Sequence, residues 1–207
     1  LLPSWLILVN KEGRRFTDES APYTVLGGLI QNEGGHAFAV FDETARAAAK
    51  PSPISQANWV SDVLHQKAEE GRIFREETLE GLATAMQVDV GGLHGTIERY
   101  NNDVASGSDT AFFKTQSLQP VTRAPFYGVE IRPAIVCWTG TGVRVTADTA
   151  VMNKQEKAIP GLYAAGETIG NLHGDRYIGG GGSFGPCIVF GKLAGENAAR
   201  YARALNG

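Results

Sequence analysis

The chain reads as an α/β protein, and three observations predict it. Short apolar runs with β-branched members, such as Ser4–Asn10 and His36–Phe41, have the character of strands. Between them lie stretches with helical spacing; Val90, Leu93, Ile97, Tyr100 and Val104 make the longest. Near the C-terminus, the run Leu162-Tyr-Ala-Ala-Gly-Glu167 reads as a strand entering a tight glycine turn. The second run, Tyr177-Ile-Gly-Gly-Gly-Gly-Ser-Phe-Gly-Pro186, opens a helix.

The elements follow in order. Ser4–Asn10 is a strand, Lys11–Arg14 a turn, and Arg15–Thr17 a returning strand. Tyr23–Glu33 is a helix stopped by Gly34 and Gly35, and His36–Phe41 is a strand. Asp42 caps a helix that reaches Lys50, where Pro51 and Pro53 break it. Trp59–Glu70 is a helix, Thr78–Met86 is another with Thr78 as its cap, and Asp89–Ser106 is the longest of this half. Residues 107–125 are polar and irregular. Phe126–Pro133, Ile135–Trp138, Val143–Val145, Ala150–Met152 and Leu162–Ala165 read as strands, and Phe184–Ala204 as a closing helix. The organisation divides at Thr122–Phe126, into an α+β unit and a strand-rich unit with one helix. A sheet closed by a single helix leaves edges that need other strands.

Composition excludes several classes. The 207 residues carry a net charge of −3 with both signs mixed, so no basic nucleic-acid footprint is visible. No apolar run reaches the roughly 18 residues of a membrane helix. The two cysteines, Cys137 and Cys187, form no disulfide framework and point to a reducing, cytoplasmic setting. Both stand in apolar runs, where a small buried hydrophobe is the expected role. The start at Leu1-Leu2-Pro3-Ser4-Trp5, without Met and inside an apolar segment, suggests a fragment or processed subunit.

Glycine clusters allow a backbone to adopt positive φ and approach a ligand closely. Amides at a helix N-terminus welcome an anion or an electron-rich ring edge. Four segments carry a resemblance. They are Ile7–Glu19; Thr78–Ala83 with Arg99-Tyr-Asn101; Pro125-Phe-Tyr127; and Ile159–Glu167 with Phe190-Gly-Lys-Leu-Ala-Gly195. Together they resemble the FAD-dependent flavoprotein family of fumarate reductases and 3-ketosteroid dehydrogenases. The resemblance implies a substrate-covering, or capping, domain over residues 1–122, with strand 4–10 assignable to either domain. Residues 123–207 resemble the C-terminal part of a Rossmann-like FAD-binding domain. The family's Gly-x-Gly-x-x-Gly turn, which holds the pyrophosphate, follows no strand here. The N-terminal FAD-binding half would therefore lie elsewhere in the same or a partner chain, and these residues alone would hold FAD poorly.

Within the family, fumarate reductases place an Arg where Tyr23 stands, a His-rich segment near Val136–Gly142, and a second Arg where Tyr177 stands. Bidentate Arg is the usual partner of a carboxylate, so these replacements argue against a dicarboxylate substrate. The segments Glu19-Ser-Ala-Pro-Tyr23 and Tyr177–Pro186 are similar to those of 3-ketosteroid dehydrogenases. By that resemblance Tyr23 removes a proton next to a ketone. The Tyr177 hydroxyl and the Gly181 amide hold the ketone oxygen, and a hydride passes to the flavin. Gly166, Glu167, Gly182, Ser183 and Phe184 would bind FAD.

Each residue has a plainer reading. Tyr177 packs over a turn, Tyr23 is a helix-start staple, Glu167 is a solvated turn carboxylate, and Ser183 caps the last helix. His173 stands next to Gly174 and reads as structural; His36, His65 and His94 lack metal-ligand spacing, so no metal site is expected. Glu19 is read as a local salt-bridge partner of Arg14 or Arg15. The expected partner is a small ketone of steroid type, with the electron acceptor left open. Reduction of an unsaturated acid, and an inactive fragment needing an N-terminal partner, are the alternatives.

Overall fold

The computed structural model describes residues 2–51, 57–134, 140–170, 172 and 183–206. It has the mixed helix-and-sheet architecture that the sequence predicts, in two compact units, Leu1–Pro133 and Ala134–Gly207. In the first unit, β1 (Ile7–Val9), β2 (Ala37–Asp42), β3 (Phe74–Glu76) and β4 (Phe126–Ile131) form one antiparallel sheet in the order β1-β2-β4-β3. Its helices are α1 (Tyr23–Asn32), α2 (Glu43–Ala48), α3 (Ser61–Glu69), α4 (Leu79–Met86) and α5 (Val90–Ser106).

Strand side chains alternate between faces, and here both faces are covered. Ile7, Val9, Phe38 and Val40 join Leu82, Met86, Leu93 and Ile97 of α4 and α5 in one core. Leu8, Ala39 and Phe41 join Leu26, Ala45 and Leu64 of α1–α3 in the other. That is why β2 is apolar from Ala37 to Phe41 instead of alternating with polar residues.

The helix starts follow local sequence. Thr78 accepts from the Gly81 amide and Asp89 from the Gly92 amide. Asp42 Oδ1 caps α2 at Ala45 N (2.9 Å), and its other oxygen accepts from Thr122 N and Arg123 N. One buried carboxylate thus starts a helix and fixes the segment that leads into β4.

Several elements differ from expectation. Of Ser4–Asn10 only Ile7–Val9 is strand, and Arg15–Thr17 shrinks to a single bridge between Val9 and Arg15. The reason is that the Leu8 N–H donates to Glu19 Oε1 (3.0 Å), so a side chain takes the place of a neighbouring strand. β3 was not anticipated, because Phe-Arg-Glu shows no apolar alternation. The first compact unit runs to Pro133 and includes β4, which pairs with β2 and β3.

In the second unit β5 (Ala150–Met152) pairs antiparallel with β6 (Ala158–Tyr163), which begins earlier than the expected Leu162–Ala165. Val143–Val145 makes only isolated bridges, to Ile169 and Val151. The strand expected at Ile135–Trp138 lies outside the described residues, as does Cys137. The closing helix α6 (Phe184–Leu205) packs on β6 and on the Gly166–Thr168 turn. None of its residues is buried within the unit, and Phe184, Ile188 and Val189 are 62–74% exposed. Cys187 is exposed too, contrary to the buried role expected for it, because it sits on this uncovered helix. No described helix is long and apolar enough to cross a membrane.

Candidate functional site

Tyr23 is the first residue of α1 and is held there by the turn before it. The Asp18 carboxylate accepts from Ser20 N (2.8 Å) and Ser20 Oγ (2.7 Å), closing an Asx turn. Ala21 N donates to Asp18 O, and Pro22 then sets the entry to the helix. Tyr23 is 44% exposed and lines a pocket of about 390 Å³ within the first unit. The walls are mainly apolar, with Leu2, Pro3, Trp5, Ala21, Pro22 and Leu26; Lys50 and Glu19 are the ionisable residues besides Tyr23.

Glu19 does not act as a free acid there. Its side chain is fully buried and accepts four donors: Leu8 N, Arg15 Nε, Arg15 Nη2 and Lys114 Nζ, all at 2.9–3.0 Å. Arg15 reaches Asp109 as well, at 3.0 and 3.2 Å, and its guanidinium stands over the rings of Tyr100 and Phe112. Burial works against the Arg15 charge, but the bonds to Glu19 and Asp109 outweigh it and raise its pKa. For Lys114 burial wins over the attraction of Glu19 and lowers its pKa. Burial likewise disfavours the Asp109 charge, yet Arg15 holds its carboxyl below the usual range. The local salt bridge expected for Glu19 is therefore to Arg15. Asp109 and Lys114 were missed, because residues 107–125 carry no periodic signal. Gln116 and Ser117, in the same stretch, also line the Tyr23 pocket.

In the second unit the chain leaves β6 into a single turn, Gly166–Thr168. Gly166 is buried with φ +77°, a left-handed conformation suited to glycine. A Cβ there would meet Cys187 Sγ at 3.1 Å, so the turn abuts the first turns of α6. Glu167 is exposed beside it. Ser183 has helical angles (φ −74°, ψ −38°), and Phe184 opens α6 with its ring 74% exposed. The structure thus brings the Gly166–Glu167 turn next to the N-terminal part of α6.

Tyr177, Gly181, Gly182 and His173 lie outside the described residues. His36 stands edge-on to Phe38, and His65 and His94 are exposed. Among the described residues no three His, Cys, Asp or Glu side chains gather as a metal site.

Residues 6–183 match the family model described as FAD binding domain. Over 197 residues, 95% of the chain, it is 33% identical to an NADH:acrylate oxidoreductase of Vibrio harveyi, covering 19% of that protein. Identity is also 33%, again over 95% of the chain, to a probable fumarate reductase of Shewanella frigidimarina (strain NCIMB 400), covering 31% of it. The chain thus spans about a fifth to a third of the length of these relatives. Among solved structures, it is similar to a 3-ketosteroid Δ1-dehydrogenase of Sterolibacterium denitrificans, determined with 1,4-androstadiene-3,17-dione. That likeness has a TM-score of 0.78 and 27% identity, covering 94% of this chain and 38% of that one. The glycine turn, the closing helix and the match over most of the sequence agree: the chain belongs to the FAD-binding flavoprotein family of fumarate reductases and 3-ketosteroid dehydrogenases.

Proposed function

We propose that the chain is part of an FAD-dependent oxidoreductase that dehydrogenates a carbon–carbon bond beside a ketone, with a steroid-like substrate. The observation that carries this reading is the make-up of the Tyr23 pocket. Its walls are more apolar than polar, and among the described residues no Arg lines it. The nearby Arg15 is engaged bidentately by Glu19 and by Asp109, so it is not available to clamp a substrate carboxylate. A neutral, apolar substrate suits these walls better than a dicarboxylate does.

The second unit fits FAD. Gly166 lets the turn pack closely against α6, Glu167 is exposed to accept from hydroxyls, and the start of α6 carries amides without intrahelical acceptors. Gly166, Glu167, Gly182, Ser183 and Phe184 would hold the cofactor, which when bound supplies the hydride acceptor. The chain's own residues perform the proton chemistry. Tyr23 takes a proton from the carbon next to the ketone. The Tyr177 hydroxyl and the Gly181 amide donate to the ketone oxygen and stabilise the enolate that develops. One such donor is worth about 3 kcal/mol in a preorganised site.

A second reading, reduction of an unsaturated acid, is favoured by the relatives named for acrylate and fumarate. Lys50 is the cation in the pocket lining that could serve it. The two readings separate in one assay on the full-length, FAD-loaded protein. Under anaerobic conditions a 3-ketosteroid should bleach the flavin absorbance, while fumarate and acrylate should fail to reoxidise the reduced flavin. The reverse pattern would replace the first reading by the second.

A further inference from the structure

A second pocket of about 310 Å³ lies in the first unit, and its chemistry is opposite to that of the Tyr23 pocket. From it we infer a binding site for a small oxyanion, a phosphate or carboxylate group, between the turn after β1 and the outer face of α5. Three arginines line it: Arg14 and Arg15 from the turn, and Arg99 from the helix. Thr96, Arg99 and Asp103 stand at helical spacing along α5, so one face of the helix forms one wall. Thr110 and Phe112 close it from the segment that follows α5.

The charges do not cancel. Arg15 is spent on Glu19 and Asp109. Arg14 and Arg99 form no ion pair with any described residue, although both are exposed in the same pocket. Asp103 is a carboxylate in the lining; both its oxygens accept from the Thr110 amide and hydroxyl, at 2.9–3.2 Å, and its charge offsets one of the two free arginines, leaving a net positive pocket. The Thr96 hydroxyl makes no hydrogen bond within the described residues and is available as a neutral donor. Two guanidinium forks without an ion pair and one hydroxyl, all lining one pocket, are the donor types that hold an oxyanion.

The Asp103–Thr110 bonds and the Arg15–Asp109 pair fix the pocket's walls without any ligand. The walls are thus set in advance, and binding would have to order only the exposed Arg14 and Arg99 side chains. The reading of the Tyr23 pocket plays no part in this inference.

The test titrates inorganic phosphate, and in a second arm acetate, into the purified protein at constant ionic strength made up with chloride. Two-dimensional amide NMR or calorimetry reads the binding. The expected result is saturable binding, with shifts centred on Arg14, Thr96 and Arg99, weakened at least about tenfold in the Arg14→Gln/Arg99→Gln double variant. Lys192→Gln, on the exposed face of α6, should leave it unchanged. Preference for phosphate or for acetate identifies which oxyanion the site takes. The inference is overturned if neither anion saturates, if chloride competes equally, or if the folded double variant binds as the parent does.

Discussion

Lys114 Nζ donates to Glu19 Oε2 at 3.0 Å, with both side chains at 0% exposure, although the residues lie 95 positions apart. The same ammonium donates to the Leu6 carbonyl oxygen at 3.0 Å. One buried cation thus ties the segment after α5 to the residue that precedes β1 and to the turn that positions Tyr23. Removing one partner of a buried pair leaves the other charge uncompensated, at a typical cost of about 3–5 kcal/mol. Glu19 retains Arg15, so Lys114→Met should fall at the low end, near 3 kcal/mol in urea unfolding. A loss below about 1 kcal/mol would show that this tie does not anchor the segment.

Tyr100 sits under Arg15 and Lys114, and burial pushes its hydroxyl up to about 12. The hydroxyl lacks a hydrogen bond of good geometry among the described residues, with only the Gln119 backbone near. A group whose pKa is raised by folding contributes stability that is complete below its unfolded value, near 10, and is lost as pH rises towards 12. Tyr100→Phe should abolish that alkaline loss. The Lys114 contribution, present in both proteins, cancels in the comparison. Near neutral pH the variant should be as stable as the parent or better by about 1 kcal/mol, since a poorly satisfied buried hydroxyl is removed. Denaturant midpoints measured from pH 7 to 12 check both statements.

The turn after β1 and the start of α5 meet backbone to backbone. A Cβ on Gly92 would stand 1.9 Å from the Glu12 carbonyl oxygen, and one on Gly13 2.2 Å from Leu93 N. Gly95, one turn further along α5, has nothing within 4 Å. Gly92→Ala should therefore cost about 1–3 kcal/mol or more by overpacking. Gly95→Ala should gain about 0.5–1 kcal/mol, because alanine suits a helix interior better. Thermal unfolding of the two variants side by side would show opposite shifts. A common sign would contradict the close approach at Gly92.

What could be read from the sequence was local. Asp42, Thr78 and Asp89 cap their helices with their own side chains, and α5 carries its apolar stripe in plain 3.6-residue spacing. What could not be read depends on partners far along the chain. β3 exists because Phe74–Glu76 meets Phe126–Gly128, and its three residues announce nothing alone. Likewise Asp109 and Lys114 look like solvated charges until the fold brings them to Arg15 and Glu19. Cys187 misled for a related reason: an apolar run implies a covered face, and α6 is not covered within its own unit. Gly166 was informative because φ +77° and a close neighbour both demand glycine there.

The proposed role of Tyr23 as the base acting on a ketone substrate meets its most direct test in one measurement. Flavin reduction by a 3-ketosteroid is followed in a single turnover, in the full-length FAD-loaded protein and in its Tyr23→Phe variant. Tyr23 is half exposed at a helix start, so the variant should fold and keep its flavin. The expected result is unchanged steroid binding with reduction slowed roughly 10²–10⁴-fold, the usual worth of a general base. Equal rates in the two proteins, or a flavin that stays oxidised with every ketosteroid while fumarate or acrylate reoxidises its reduced form, would contradict it.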